Sequence, residues 1–530
     1  MSGHDQFPAT PPEERDVPTD RDIAKRWAVV TRWLAVNATM LLCALGVRLA
    51  WGYDAQHRVD AELQAIRDRG DPAALADLRR PHVPDRLNAA WHVEEALRIW
   101  PLVDGHLITE GPWAQTYGLS APQPEPAFDE AAYLASLEPA LAHLAEAAQA
   151  PHARWAYTLR SPVIQVPLDH LGRARRLARL LADAAMRHAR RGDHDEALVT
   201  LTHVPTIADT LRNDHGTTLH HLVAISVDAI VTHGLNERLD GHFNPAAVGE
   251  RGASAMAFLQ RRYATGIGDG HYERMRQIER VHLIDTFDHV VIPNGGVWTL
   301  YSGSPATAAH RAWGLAVRPM LLNDYRVSLR VYDRLIEAGR PTPARPGHEY
   351  DPVGDDALGR YLRPRGRLYA FTTVMMPATS AIDRTFWQLE AQSRVTSVGL
   401  AIWRYELDHG ARPGRLADLV PDYLDAVPAD PYAVNEQPIG YRPGGAAARF
   451  DEPPWSPVVP DAIRDRAQGS RWVTVFSVGA DLESDDGRPT FDRQGEYEDL
   501  AGYRDEEGMS GDVLFFVDRA QPTALPAATP

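Results

Sequence analysis

The sequence predicts a mainly α-helical chain: an N-terminal membrane helix, a body of helical hairpins, and a small C-terminal α+β domain in which a helix packs on an antiparallel sheet. Three observations carry this. An apolar run at 33–47 (WLAVNATMLLCALGV) is bounded by Arg32 and Arg48. Apolar residues recur at helical spacing through 168–240. Near the C-terminus, Gly410 and Pro413 stop a helix, and alternating stretches follow at 472–477 and 513–517.

Residues 1–26 read as a disordered cytoplasmic tail, because apolar side chains are few and Pro8, Pro11, Pro12 and Pro18 stand among acidic groups. Residues 27–52 read as a transmembrane helix. Fifteen helical residues cover about 22 Å, short of a hydrocarbon core of about 30 Å. Extending the span to Trp27 and Trp51, with the arginines snorkelling, closes the gap. A cleaved signal peptide fits poorly, since Val47 to Trp51 offers no small-x-small site. Arg21, Lys25, Arg26 and Arg32 precede the span against Arg48 and Arg58 after it. This bias predicts a single-pass protein of the bacterial inner membrane, N-terminus cytoplasmic and bulk periplasmic.

Residues 54–380 form the predicted helical body. The segment 129–150 carries Leu134, Leu137, Leu141 and Leu144 at helical spacing, with a kink or restart at Pro139. In 168–240, Leu171, Ala174, Leu177, Leu181, Ala184 and Ala185 share a face up to Arg191-Gly192, after which Asp193 opens a second helix. A third helix continues to Leu235. This hairpin resembles a tetratricopeptide unit, which implies protein partners for the body. Seven arginines between 173 and 191 suit either a solvated face or a surface for anionic lipid or acidic protein.

The segment 381–520, with a short tail at 521–530, is the predicted α+β domain. Its residues Tyr405, Asp408, Gly410, Pro413, Leu416, Leu419, Val420, Pro428, Asp430, Pro431, Tyr441, Ser477, Gly479, Asp481 and Asp512 follow in order the motifs of one family. Over 395–517 the chain resembles the globular domain of the major pseudopilin of type II secretion systems. The resemblance implies a helix on a three- or four-stranded antiparallel sheet, and a place near secretion or pilus-like machinery. It also implies calcium in the late loop, for which Asp481, Glu483, Asp485, Asp486 and Asp512 supply hard oxygen donors; an acidic solvated loop is the alternative. The chain departs from the family in two ways. Its anchor lacks the family's leader and glutamate, and the helical body separates anchor from domain. The insertion 444–469 also lengthens the loop before the last strands.

The net charge is −16, which argues against a nucleic-acid partner. Lys25 is the only lysine and Cys43 the only cysteine. Phosphate-loop, Schiff-base and Ser–Lys chemistry need a lysine in the folded body, and thiol catalysis, Cys-ligated zinc and an internal disulfide need cysteines. Histidine, carboxylate and hydroxyl chemistry remain. Two Glu-x-x-His pairs, Glu279/His282 and Glu406/His409, each place ligands on one helical face. His215, His220 and His221 read as surface or satisfied histidines, and Glu273, Glu279, Asp285 and Asp288 with Arg274, Arg276 and Arg280 as an exposed salt-bridged face. The sequence therefore favours a non-enzymatic scaffold or docking protein. The alternative is a periplasmic metal-dependent hydrolase or oxidase using His, Asp and Glu residues of the helical body.

Overall fold

The computed structural model describes residues 20–79, 81–99, 130–214, 216–236, 242–266, 269–296, 307–337, 370–433, 437–443, 472–479 and 513–518. The chain is mainly helical and ends in a small antiparallel sheet. Helix α1 (Asp20–Asp68) runs without interruption through the apolar stretch and on for about six turns. It begins at Asp20, so the last residues of the expected tail are helical; after Pro18 the next proline is Pro72, beyond the helix. The first nineteen residues lie outside the described ones.

Next come α2 (Ala89–Ile99), α3 (Glu130–Ser136) and α4 (Glu138–Gln149), with Pro139 in the first turn of α4, where a missing N–H costs nothing. The hairpin follows as α5 (Asp169–Arg190) and α6 (His194–Asn213), then α7 (Thr218–Asn236). Gly192 takes φ +81° between α5 and α6, a left-handed conformation that suits a residue without Cβ. After α8 (Glu250–Ala264), α9 (Asp269–Thr286) passes through a π-helical turn, Phe287–Val291. Then come α10 (Ala308–Glu337) and α11 (Ala370–His409). Strands β1 (Gly440–Arg442), β2 (Trp472–Ser477) and β3 (Val513–Asp518) form one antiparallel sheet in that order.

Two of the hydrophobic clusters among the described residues organise most of these elements. The larger draws Val93, Leu144, Leu177, Leu201, Val231 and Leu259 from the helices together with Trp403 of α11 and Val475 of β2. The expected boundary at 380/381 thus falls inside α11, whose far half packs on α7 and α8 as well as on the strands. The smaller core joins Val59 and Ile66 of α1 to Phe287, Leu322, Tyr325 and Leu329, with Phe287 stacked on Tyr325 at 4.5 Å.

In α9 and its π-turn, Glu273 and Asp288 are exposed as expected, but the rest corrects the expectation of an exposed charged face. Arg276 and Arg280 are fully buried and Asp285 nearly so. Arg280 reaches Asp71 just beyond α1 at 2.8 Å and also Asp333 of α10, while Arg276 pairs with Glu279 at 2.8 Å. Carboxylates from distant segments let a strongly charged helix run through the interior. On the arginine face of α5, Arg176, Arg190 and Arg191 are exposed, as is Arg173, which pairs with Glu94, whereas Arg187 is buried against Asp183 and Glu130.

Candidate functional site

Three segments meet around a cavity of about 280 Å³ lined by Arg79, Arg154, Trp155, Tyr157, Leu159 and Asp214, among others. Behind its aromatic wall stand His170 of α5 and His220 of α7. The ring of Tyr157 stacks on His170 at 4.8 Å and that of Trp155 at 5.3 Å. Asp214, just past α6, accepts the Trp155 backbone N–H at 2.9 Å through Oδ1. Its Oδ2 lies 3.5 Å from His220 Nε2.

The hydrogen bonds assign the tautomers. The backbone N–H of Thr217 donates to His220 Nδ1 at 3.0 Å, so that nitrogen is an acceptor. The proton of a neutral His220 then sits on Nε2, which donates to His170 Nε2 at 2.8 Å. Burial pushes His170 down to about 4, and burial with the neighbouring imidazoles pushes His220 lower still. His282 of α9 is held at about 4 by burial, and its Nε2 has no hydrogen-bond partner. His221, fully buried, is held at about 3 by burial and by Arg212. His220 and His221 are thus interior residues: His220, bonded at both ring nitrogens, fits the satisfied alternative, and neither fits the surface one. At neutral pH the cluster is a chain of neutral imidazoles beside one carboxylate. Such a chain can pass a proton or accept a hydrogen bond, and it repels a cation less than charged imidazoles would.

The structure separates the two Glu-x-x-His pairs. Glu279 is committed to Arg276, whereas His409 is exposed and stacks on Tyr405 at 4.1 Å. Among the described residues, no three His, Cys, Asp or Glu side chains stand where they would hold a metal ion. The expected calcium ligands Asp481, Asp485, Asp486 and Asp512 lie outside the described residues, as does His215.

The turn that precedes that loop is described. Gly410 takes φ +67° after α11, its N–H bonded to the Glu406 carbonyl at 2.9 Å. Tyr441 of β1 donates its hydroxyl to the Pro413 carbonyl at 2.8 Å. Buried Asp430 accepts the N–H of Tyr432 at 2.9 Å and the Ser477 hydroxyl at 2.6 Å on Oδ1, and the N–H of Val478 at 2.7 Å on Oδ2. One carboxylate therefore ties the helix-to-sheet turn to the end of β2. Gly440 lies under the Phe476 ring, where a Cβ would come within 2.4 Å of ring carbons.

Sequence reasoning missed the cavity. His170, Trp155, Tyr157 and Asp214 come from separate segments with no motif spacing; the polar-rich segment from Asp214 to His221, broken by Gly216 and Leu219, carried the local signal. Comparison with protein-family models, with curated proteins and with solved structures found no match to this chain.

Proposed function

We propose that the chain is a membrane-anchored, non-enzymatic envelope protein whose helical body acts as a scaffold or docking module. One observation carries this reading. Helix α1 is long and apolar enough to cross a membrane, its apolar part is exposed, and the same unbroken helix then packs Ala55, Val59 and Ile66 into the body. Anchor and body are thus joined by helix rather than by a linker, which suits a part that holds partners at a set distance from a bilayer. The distribution of basic residues supports a cytoplasmic N-terminus and a periplasmic body in the bacterial inner membrane.

The hairpin α5–α6 and its successor α7 support a tetratricopeptide-like reading of the contact surface. The Gly410 stop and the Asp430 bonds fall on residues through which the chain resembles a major pseudopilin, and on that resemblance rests association with secretion or pilus-like machinery. Crosslinking in native membranes, with identification of what is attached, tests the scaffold reading. Envelope proteins joined to the 130–337 region are expected; crosslinks confined to lipid would overturn it.

Calcium is the cofactor this reading admits, held by Asp481, Asp485, Asp486 and Asp512. Millimolar calcium should raise the thermal midpoint of the full chain, and Asp481→Asn should abolish the rise; no rise would end the calcium proposal. A second reading, a metal-dependent hydrolase or oxidase, draws on the His, Asp and Glu residues of the helical body. Stoichiometric zinc or iron in the purified chain would favour it over the scaffold.

A further inference from the structure

Helices α1 and α10 run side by side in the same direction. Arg48 Nε donates to the Ala316 carbonyl at 3.3 Å, and Arg318 donates to Gln56 at 2.9 Å. Glu62 then meets Arg326 and Arg330, and Arg69 meets Asp333 at 2.9 Å. Gly52 lies against Pro319, close enough that a Cβ would stand 3.6 Å from the proline ring. Both chains ascend together, so the start of α10 lies beside the end of the apolar stretch of α1.

The first turns of α10 are unlike the rest of that helix. Trp313 and Leu315 are 56% and 67% exposed, as unprotected as Trp51 and Val47 on α1. From Leu322 onward the same helix buries its large apolar side chains. Trp313 precedes Ala316 by three residues, about 4.5 Å along the axis at 1.5 Å per residue, and so stands level with the last turn of the apolar stretch.

Charge follows the same line. No acidic residue occurs between Asp22 and Asp54, and none between 307 and Asp324. The Gly52–Pro319 contact lies just before both acidic onsets. On the acid-free side α10 carries Arg311 and Arg318, placed as arginines are in helices that lie at a phosphate-bearing interface. Tryptophan beside arginine at the end of an apolar span is the composition of the headgroup zone.

We infer that the N-terminal turns of α10, through Trp313, Leu315, Arg311 and Arg318, enter the lipid headgroup and upper acyl region beside α1, giving this protein a second membrane contact. The inference rests on the reading of α1 as a membrane span. The contact clamps the body to the bilayer at two points and fixes its rotation about the anchor.

The natural Cys43 and the absence of any other cysteine make the test direct. Full-length protein is placed in vesicles of phosphatidylcholine and phosphatidylglycerol, and single cysteines are spin-labelled: native Cys43, then Leu315→Cys and Ser254→Cys, each in a Cys43→Ser background. Collision with oxygen, which partitions into lipid, is compared with collision with a water-soluble nickel chelate. The label at 315 should favour oxygen over nickel at least several-fold relative to the label at exposed 254, and the label at 43 should favour it more. A label at 315 as open to nickel as that at 254, with 43 shielded, would overturn the second contact and leave the anchor standing. A label at 43 open to nickel would overturn the anchor and this inference with it. A label at 315 shielded from both collision partners would assign the patch to protein instead of lipid. Trp313→Cys serves as the second position should Leu315→Cys fail to fold.

Discussion

Two buried polar regions lie within one body and are built on opposite rules. Around α9, guanidinium groups are taken into the interior fully charged and met by carboxylates from other segments: Arg280 by Asp71 and Asp333. A similar seam joins Arg212 to Asp228, with Arg262 bridging Asp209 and Asp228. Around α5 and α7, imidazoles are buried with almost no counter-charge and stay neutral by desolvation, stacked on Tyr157 and Trp155. The first kind of region holds segments together by paired charge, while the second keeps titratable groups in a form that water would not impose at lower pH. The same helix, α7, contributes Asp228 to one and His220 to the other.

Removing one partner should break the charged region most severely. Arg280→Ala removes the buried cation and leaves Asp71 and Asp333 with only the half-exposed Arg69, so a loss of about 3 kcal/mol is expected from the denaturation midpoint. Replacing all three groups together with apolar residues should restore most of that loss. A cost for Arg280→Ala below about 1 kcal/mol would show that the seam is no more than a set of surface-like pairs.

The neutral region predicts a pH response of definite sign. His282 is held at about 4 and His221 at about 3, below the ordinary 6.5, chiefly by burial. Between those values the unfolded chain binds protons that the folded chain refuses. Stability is therefore fully present above pH 6.5 and lost as pH falls from 6.5 towards 4. Each such group contributes a slope of up to about 1.4 kcal/mol per pH unit. His282→Gln should flatten the fall of the thermal midpoint between pH 6.5 and 4 by about one proton's worth, and leave the midpoint above pH 7 independent of pH. An unchanged slope would mean that His282 is not neutral by burial.

The contrast also explains what could be read in advance. Elements whose signal is local were legible: the apolar stretch inside α1, the restart at Pro139, the hairpin turn at Gly192, the stop at Gly410 and the alternating strand 472–477. Their causes are backbone preferences and periodic burial, which neighbouring residues encode. Helix α9 was not legible, because a periodicity argument sends Arg276, Arg280 and Asp285 to water, and only partners far along the chain permit their burial. Asp285 accepts the Val163 N–H at 2.6 Å and a bond from the Ser161 hydroxyl, contacts that no local window contains. The cavity was illegible for the same reason, while the parallel pairing of α1 with α10 depended on a register that composition alone does not set.

Helix α5 allows the comparison to be sharpened at its smallest scale, since it carries a buried and an exposed ion pair on one scaffold. Arg187 and Asp183 are both 9% exposed at the side chain and 2.8 Å apart. Arg173 is 53% exposed and lies 2.9 Å from Glu94 at 23%. Burial holds the Glu94 carboxyl above its ordinary value despite the arginine, so water and desolvation together offset most of what the pair supplies. Arg173→Ala should cost less than about 1 kcal/mol, and the cost should shrink between low and high salt as screening replaces the arginine. Arg187→Ala should cost several times more and change little with salt, because Asp183 is left buried without its cation. Equal costs for the two substitutions, or a salt response at Arg187 as large as at Arg173, would show that depth in this helix does not decide the worth of a charge.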